Sequence, residues 1–206
     1  MGRLRPLVLA SASPQRKLLL KDVRKRFEIV PSNVDETTDE KNPRKMVTDL
    51  AVKKALHVAA RRPEAVVLGA DTTVVCKGQI IGKPADPDDA MRILRLLNGD
   101  WQDVYTGVCV VKDGKVWKTA VRSRVKARRL SDDELRRLAG KHMDKAGAYA
   151  VQDEDDPFIE RISGEKDNVI GLPRKAVRTL LRRAEASRPG RPSKTRRRPG
   201  LRKAAA

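Results

Sequence analysis

The chain has 206 residues, enough for one domain with a substantial core, and its 39% hydrophobic but only 3% aromatic content makes Leu, Val, Ile and Ala the core builders. A formal charge of +19 favours polyanionic or phosphorylated ligands. No apolar run is long enough to span a bilayer and the N-terminus has no signal-type apolar stretch, so the expectation is a cytoplasmic protein without a membrane partner. Cys76 and Cys109 lie in apolar runs without metal-ligand spacing, as reduced core cysteines do.

Leu7 to Ala10 reads as a short strand. The helix after it has Ser13 as its N-cap, Pro14 in its first position, and Leu18, Leu19 and Val23 as apolar residues. A strand that feeds a helix start can cradle an anion, with Ser11, Ser13 and Arg16 completing the cradle, although capping alone accounts for Ser13. Phe27–Val30 reads as a second strand, followed by an acidic loop with Asp35 and Glu36. Asn42-Pro43 opens a helix reaching to about Arg62, with Met46, Val47, Leu50, Ala51, Ala55, Val58 and Ala59 as its apolar stripe. Lys54 falls on that stripe, seven residues after Val47 and four before Val58. Its ammonium either snorkels to the rim or reaches an anion in a cleft.

The stretch from Ala65 to Pro84 predicts strand, a Lys77-Gly78 hairpin turn, and a short return strand. Asp71 stands in the middle of its apolar run. An unpaired carboxylate there would cost several kcal/mol, so it has an edge position or local hydrogen bonds, or it serves a metal or catalysis. Asp86-Pro87-Asp88-Asp89 opens a helix that stops at Asn98-Gly99. Gln102–Val111 and Lys115–Arg129 form a hairpin about Asp113-Gly114, and period two puts Arg122, Arg124, Lys126 and Arg128 on one face, which reads as a solvated outer surface, with a polyanion-binding surface as the alternative. Ser131 to Glu134 is a capping box. Strands are expected around Phe158-Ile159 and Asn168–Ile170, and a last helix from Pro173 carries Ala176, Val177, Leu180, Leu181 and Ala184 on one face. Residues 1–186 form the expected domain. Residues 187–206, rich in Pro, Gly, Lys and Arg, form an expected disordered basic tail suited to non-specific nucleic-acid contact.

These alternating strands and helices, with hairpins among them, indicate an α/β fold with a mixed twisted sheet and flanking helices. Ser11, Ser13, Arg16, Lys54 and Lys83 could grip phosphates, while Glu36 and Asp71 could hold a divalent metal or activate water. The segments LVLASASPQRKLLL, GADTTVVCKGQIIGKP, YTGVCVV, DKAGAYAVQ and NVIGLP, in that order, resemble the blocks of the Maf family of nucleoside triphosphate pyrophosphatases. The resemblance implies a fold akin to inosine triphosphate pyrophosphatases, with two lobes around a cleft, and a homodimer as the family assembly. It implies hydrolysis of a nucleoside triphosphate to monophosphate and pyrophosphate with a divalent cation, Mg²⁺ or Mn²⁺. On that basis Asp71 matches the catalytic base, and Ser11, Arg16, Glu36, Lys54 and Lys83 match residues of the phosphate and metal site.

Three positions bear on the base in the branch that resembles dTTP/UTP pyrophosphatases, and this chain has Gln15, Thr72 and Gln152 there. Thr72 and Gln152 agree with that branch; Gln15 replaces an Arg. The expectation is therefore a pyrimidine triphosphate, native or modified. The alternatives are a 7-methyl-GTP-type or broad-specificity pyrophosphatase, or a non-enzymatic nucleic-acid binder acting through the tail. A further expectation is that Lys54→Met lowers turnover without loss of stability, on the premise that no buried charge has Lys54 as its main partner.

Overall fold

The computed structural model describes residues 5–151 and 157–187. A seven-stranded mixed sheet forms its centre. β1 (Leu7–Leu9), β2 (Glu28–Ile29) and β3 (Val66–Cys76) are parallel; β4 (Gln79–Ile81), β5 (Trp101–Lys112), β6 (Lys115–Ala127) and β7 (Ile159–Ser163) join by antiparallel pairing. The order is β2-β1-β3-β5-β6-β7, with β4 paired to the far end of β3. Both hairpin turns are of the kind that matches strand twist: Lys77-Gly78 and Asp113-Gly114 all have positive φ, between 50° and 75°.

The helices start where local chemistry dictates. In α1 (Pro14–Lys21) the Ser13 hydroxyl accepts from the Arg16 amide. Asn42 caps α2 (Pro43–Arg61), Asp86 caps α3 (Pro87–Leu97), and Ser131 with Glu134 forms a reciprocal capping box on α4 (Asp132–Leu138). In each of the first three, Pro takes the first helical position, where a missing N–H costs nothing. The last two helices are α5 (Lys166–Ile170) and α6 (Arg174–Ala186). The expected strand at Asn168–Ile170 is thus a short helix. A three-residue apolar run cannot distinguish strand from helix by periodicity; here Gly171, in the left-handed region at φ 117°, ends the turn, and the buried Asn168 amide is bonded to the Val104 carbonyl and the Ser123 hydroxyl.

Alternation along β3 decides which side chain faces which layer. Val67 joins Val8, Ala10, Cys109 and Val111 under α2, whereas Leu68 and Ala70 join Leu9, Val108 and Val110 under α1 and α6. Further along the same face, Val74 and Cys76 enter a second core with Ile93, Leu94, Leu97 and Leu135 of α3 and α4. Thr72 stands where one core ends and the other begins. Helix α2 comes very close to the sheet because two strand positions facing it are glycines. A Cβ on Gly69 would lie 2.5 Å from the Ala51 carbonyl oxygen, and one on Gly107 would lie 2.1 Å from that of Val47.

The cationic row on β6 is an outer face, as expected. Arg122 forks onto Asp103 with two 2.9 Å bonds, Arg124 stacks 4.8 Å above the Trp101 ring, and Lys126 bonds the Gly99 carbonyl. Among the described residues no helix is long and apolar enough to cross a membrane. The acidic loop 153–156, Gln152 and residues 188–206 of the basic tail lie outside the described residues.

Candidate active site

A cleft of ≈ 660 Å³ lies against the middle of β3, walled by the β1–α1 loop, α2, the start of the β4–α3 connection and the segment before β7. Ser11, Ser13, Gln15, Arg16, Glu36, Lys54, Asp71, Thr72 and Lys83 all line it. The structure therefore gathers every site residue named from the sequence except Gln152, which is outside the described residues.

Asp71 continues the Val67–Gly69 face of β3 towards α2. The residue paired with it across the sheet is Gly107, which puts no side chain beside it on the face towards α2. With α2 seated on the two glycines, Lys54 stands directly over the carboxylate. Its Nζ lies 2.6 Å from Asp71 Oδ1 and 3.0 Å from Glu36 Oε2. Lys54 is 6% exposed and Asp71 7%, while the Glu36 side chain remains half open to solvent. The lysine on the apolar stripe does not snorkel; it is the partner that makes the buried carboxylate tolerable. This overturns the premise that no buried charge depends on Lys54.

The opposite face carries a second polar set. Arg16 Nε donates to the Gly171 carbonyl at 3.0 Å, Nη2 to Thr72 Oγ1 at 3.1 Å and Nη1 to Ser11 Oγ at 3.3 Å. Its guanidinium thus ties the β1–α1 loop to the α5–α6 turn. Burial pulls the Arg16 pKa down while Asp71 and Glu36 pull it up, and the group stays charged at any physiological pH. Ser11 Oγ also accepts from the Ser13 amide at 3.2 Å, which leaves its hydroxyl hydrogen for an anion. Ser13 spends its own hydroxyl on capping and on Gln15 Oε1, 3.2 Å away. Among the described residues Lys83 makes no ion pair, and it sits exposed at the cleft edge with its charge uncompensated.

Several wall residues escaped the sequence reading. Lys145, ion-paired with Asp144 at 2.7 Å, lines the cleft together with Ser32, Asn33 and Tyr149. The DKAGAYA segment was a visible signal for Lys145 and Tyr149, but no periodicity distinguishes a loop lysine from a surface one. Asn168, wholly buried, was hidden by the strand reading.

The model of the family described as Maf-like protein matches residues 6–184. The chain belongs to the Maf family. Among Maf relatives, a dTTP/UTP pyrophosphatase of Elusimicrobium minutum (strain Pei191) is 52% identical over 178 residues, covering 85% of this chain and 97% of that protein. One from Thermoanaerobacter sp. (strain X514) is 41% identical over 182 residues, 86% and 95% of the two chains. One from Thermococcus onnurineus (strain NA1) is 43% identical over 173 residues, 83% and 94%. The Maf match includes every described residue that lines the cleft.

Proposed function

We propose that this protein hydrolyses a pyrimidine nucleoside triphosphate of the dTTP/UTP kind to its monophosphate and pyrophosphate. The observation that carries the reading is the buried Asp71 carboxylate held by Lys54 at 2.6 Å in a cleft that Arg16, Lys83 and Lys145 also line. The names of the relatives, all dTTP/UTP pyrophosphatases, support the substrate class.

In this reading Lys54 holds Asp71 Oδ1, and the second carboxylate oxygen takes the proton of the attacking water. The water oxygen bonds to phosphorus, the α–β anhydride bond breaks, and pyrophosphate leaves. Arg16 and Lys83 neutralise the phosphate oxygens and the Ser11 hydroxyl donates to them, since their charge must be stabilised as the bond breaks. Thr72 and Gln15 face the base.

Glu36 and Asp71 are the residues that would hold a divalent cation. They fit the role by their chemistry: Lys54 takes one oxygen of each, Asp71 Oδ1 and Glu36 Oε2, and each carboxylate has a second hard oxygen donor. Mg²⁺ and Mn²⁺ take one or two carboxylates and complete their shell with water and substrate phosphates. When bound, such a cation supplies further charge neutralisation at the phosphates and acidifies water.

The test is pyrophosphate release from a panel of common and modified nucleoside triphosphates, 7-methyl-GTP included, with Mg²⁺ or Mn²⁺. The expected outcome is highest kcat/KM for dTTP and UTP. A folded protein that releases pyrophosphate from none of them overturns the reading.

A further inference from the structure

Thr72 and Thr106 are directly paired across β3 and β5, at the point where the sheet face passes from one core to the other. Their hydroxyl oxygens are 3.0 Å apart, too close for anything but a hydrogen bond, and either could donate. The next bond in the chain decides which. Thr106 Oγ1 lies 2.8 Å from the main-chain carbonyl of Asn168, an oxygen that carries no hydrogen. Thr106 must donate there, or two sets of lone pairs would face each other in a fully buried place. Its single hydrogen is thereby spent, so the Thr72 hydroxyl donates to Thr106. On its other side Thr72 Oγ1 meets Arg16 Nη2 at 3.1 Å, a group that can only donate.

The relay Arg16 to Thr72 to Thr106 to the Asn168 carbonyl therefore has one direction. The carbonyl at its end is itself immobile, because the Asn168 side chain bonds the Val104 carbonyl at 3.0 Å and the Ser123 hydroxyl at 3.1 Å. Thr72 keeps one lone pair and no hydrogen for the cleft.

We propose that Thr106 is a positioning residue that fixes Thr72 as a hydrogen-bond acceptor, and that this polarity selects bases with a ring N–H over bases with a ring-nitrogen lone pair. The inference rests on the pyrophosphatase reading and on Thr72 facing the base. Uracil and thymine present N3–H and satisfy the acceptor. Cytosine presents the N3 lone pair, and two acceptors then face each other with no donor between them. Sites of fixed polarity reject the mismatched partner strongly because the buried group is left unpaired.

The experiment compares kcat/KM for UTP and CTP in the wild-type protein, Thr106→Val and Thr106→Ser, with melting temperatures to verify folding. Wild type is expected to prefer UTP by about 100-fold or more. In Thr106→Val the Thr72 hydroxyl is released to donate, and the preference should fall by about 10-fold or more, mainly through a rise for CTP. Thr106→Ser keeps the hydroxyl and should restore the preference. If Thr106→Val does not fold, Thr106→Ala removes the same hydrogen in a smaller side chain and carries the same expectation. An unchanged UTP/CTP ratio in the folded variant, or an equal loss on both substrates, overturns the inference. Equal wild-type use of UTP and CTP overturns it while leaving the pyrophosphatase reading intact. Failure of the wild-type protein to release pyrophosphate from any triphosphate overturns both.

Discussion

Lys54 on α2 and Asp71 on β3 form a 2.6 Å ion pair in which neither side chain is more than a tenth exposed. Removing one partner of such a pair strands the other, which is why Lys54→Met is expected to lower stability as well as kcat/KM. Because the pair borders an open cleft, the loss should be about 2 kcal/mol rather than the 3–5 typical of full burial. In a domain of this size that lowers Tm by roughly 5 °C. The Lys54→Met/Asp71→Asn double variant removes the stranded charge and should recover most of the loss. Thermal denaturation of the two single variants and the double one checks this; a Lys54→Met protein with unchanged Tm would show that Asp71 does not depend on the lysine.

Asp71→Asn keeps the shape of the side chain but removes its capacity to take a proton. The fold should persist and kcat should fall on the order of 10²–10⁴-fold, the usual contribution of a positioned base. Single-turnover hydrolysis, measured beside a near-UV spectrum of the folded variant, tests it. Near-normal turnover would remove Asp71 from the mechanism.

Gly107 admits no side chain because its neighbour is backbone. A Cβ there would sit 2.1 Å from the Val47 carbonyl oxygen, so α2 would have to rise from the sheet. Gly107→Ala is therefore expected to cost about 3 kcal/mol, at the upper end for overpacking, and to lower activity by moving Lys54 away from Asp71. Urea unfolding and kcat/KM together measure it. Wild-type values for both would mean that the close approach of α2 has no role in seating the pair.

Gln15 lines the cleft, and its Oε1 accepts from the Ser13 hydroxyl. Gln15→Arg places a longer five-donor fork there. The expected result is a narrower substrate range, shifted towards dTTP and UTP. Unmoved ratios of kcat/KM across the triphosphate panel would place Gln15 away from the base.

Burial pushes the Cys109 thiol up to about 12. A raised folded-state pKa favours the neutral thiol, so its contribution to stability is fully present below the unfolded value near 8.5–9 and declines as pH rises towards 12. Below pH 9 the folded protein should leave Cys109 unreactive towards a thiol reagent, with labelling appearing only as the chain unfolds. Rapid labelling of Cys109 in the native state would contradict its burial.

Periodicity and local chemistry determined most elements without help from tertiary structure. The caps of α1 to α4 and the two hairpins with their positive-φ turns all depend on neighbours within a few residues. Such short-range terms are written in the chain itself, and so was the oddity of a lysine on an apolar stripe. What the lysine meets was not. Lys54 and Asp71 are joined because Gly69 and Gly107, on two different strands, let α2 settle onto the sheet, and spacing along one segment carries no information about that approach. Arg16 bonding to Gly171, 155 positions later, and the Thr72–Thr106–Asn168 relay likewise exist only once β3, β5 and α5 are assembled. Asn168 shows the limit most clearly. Its short apolar run permits strand or helix, and the choice is made by buried hydrogen bonds to Val104 and Ser123 that no local pattern encodes.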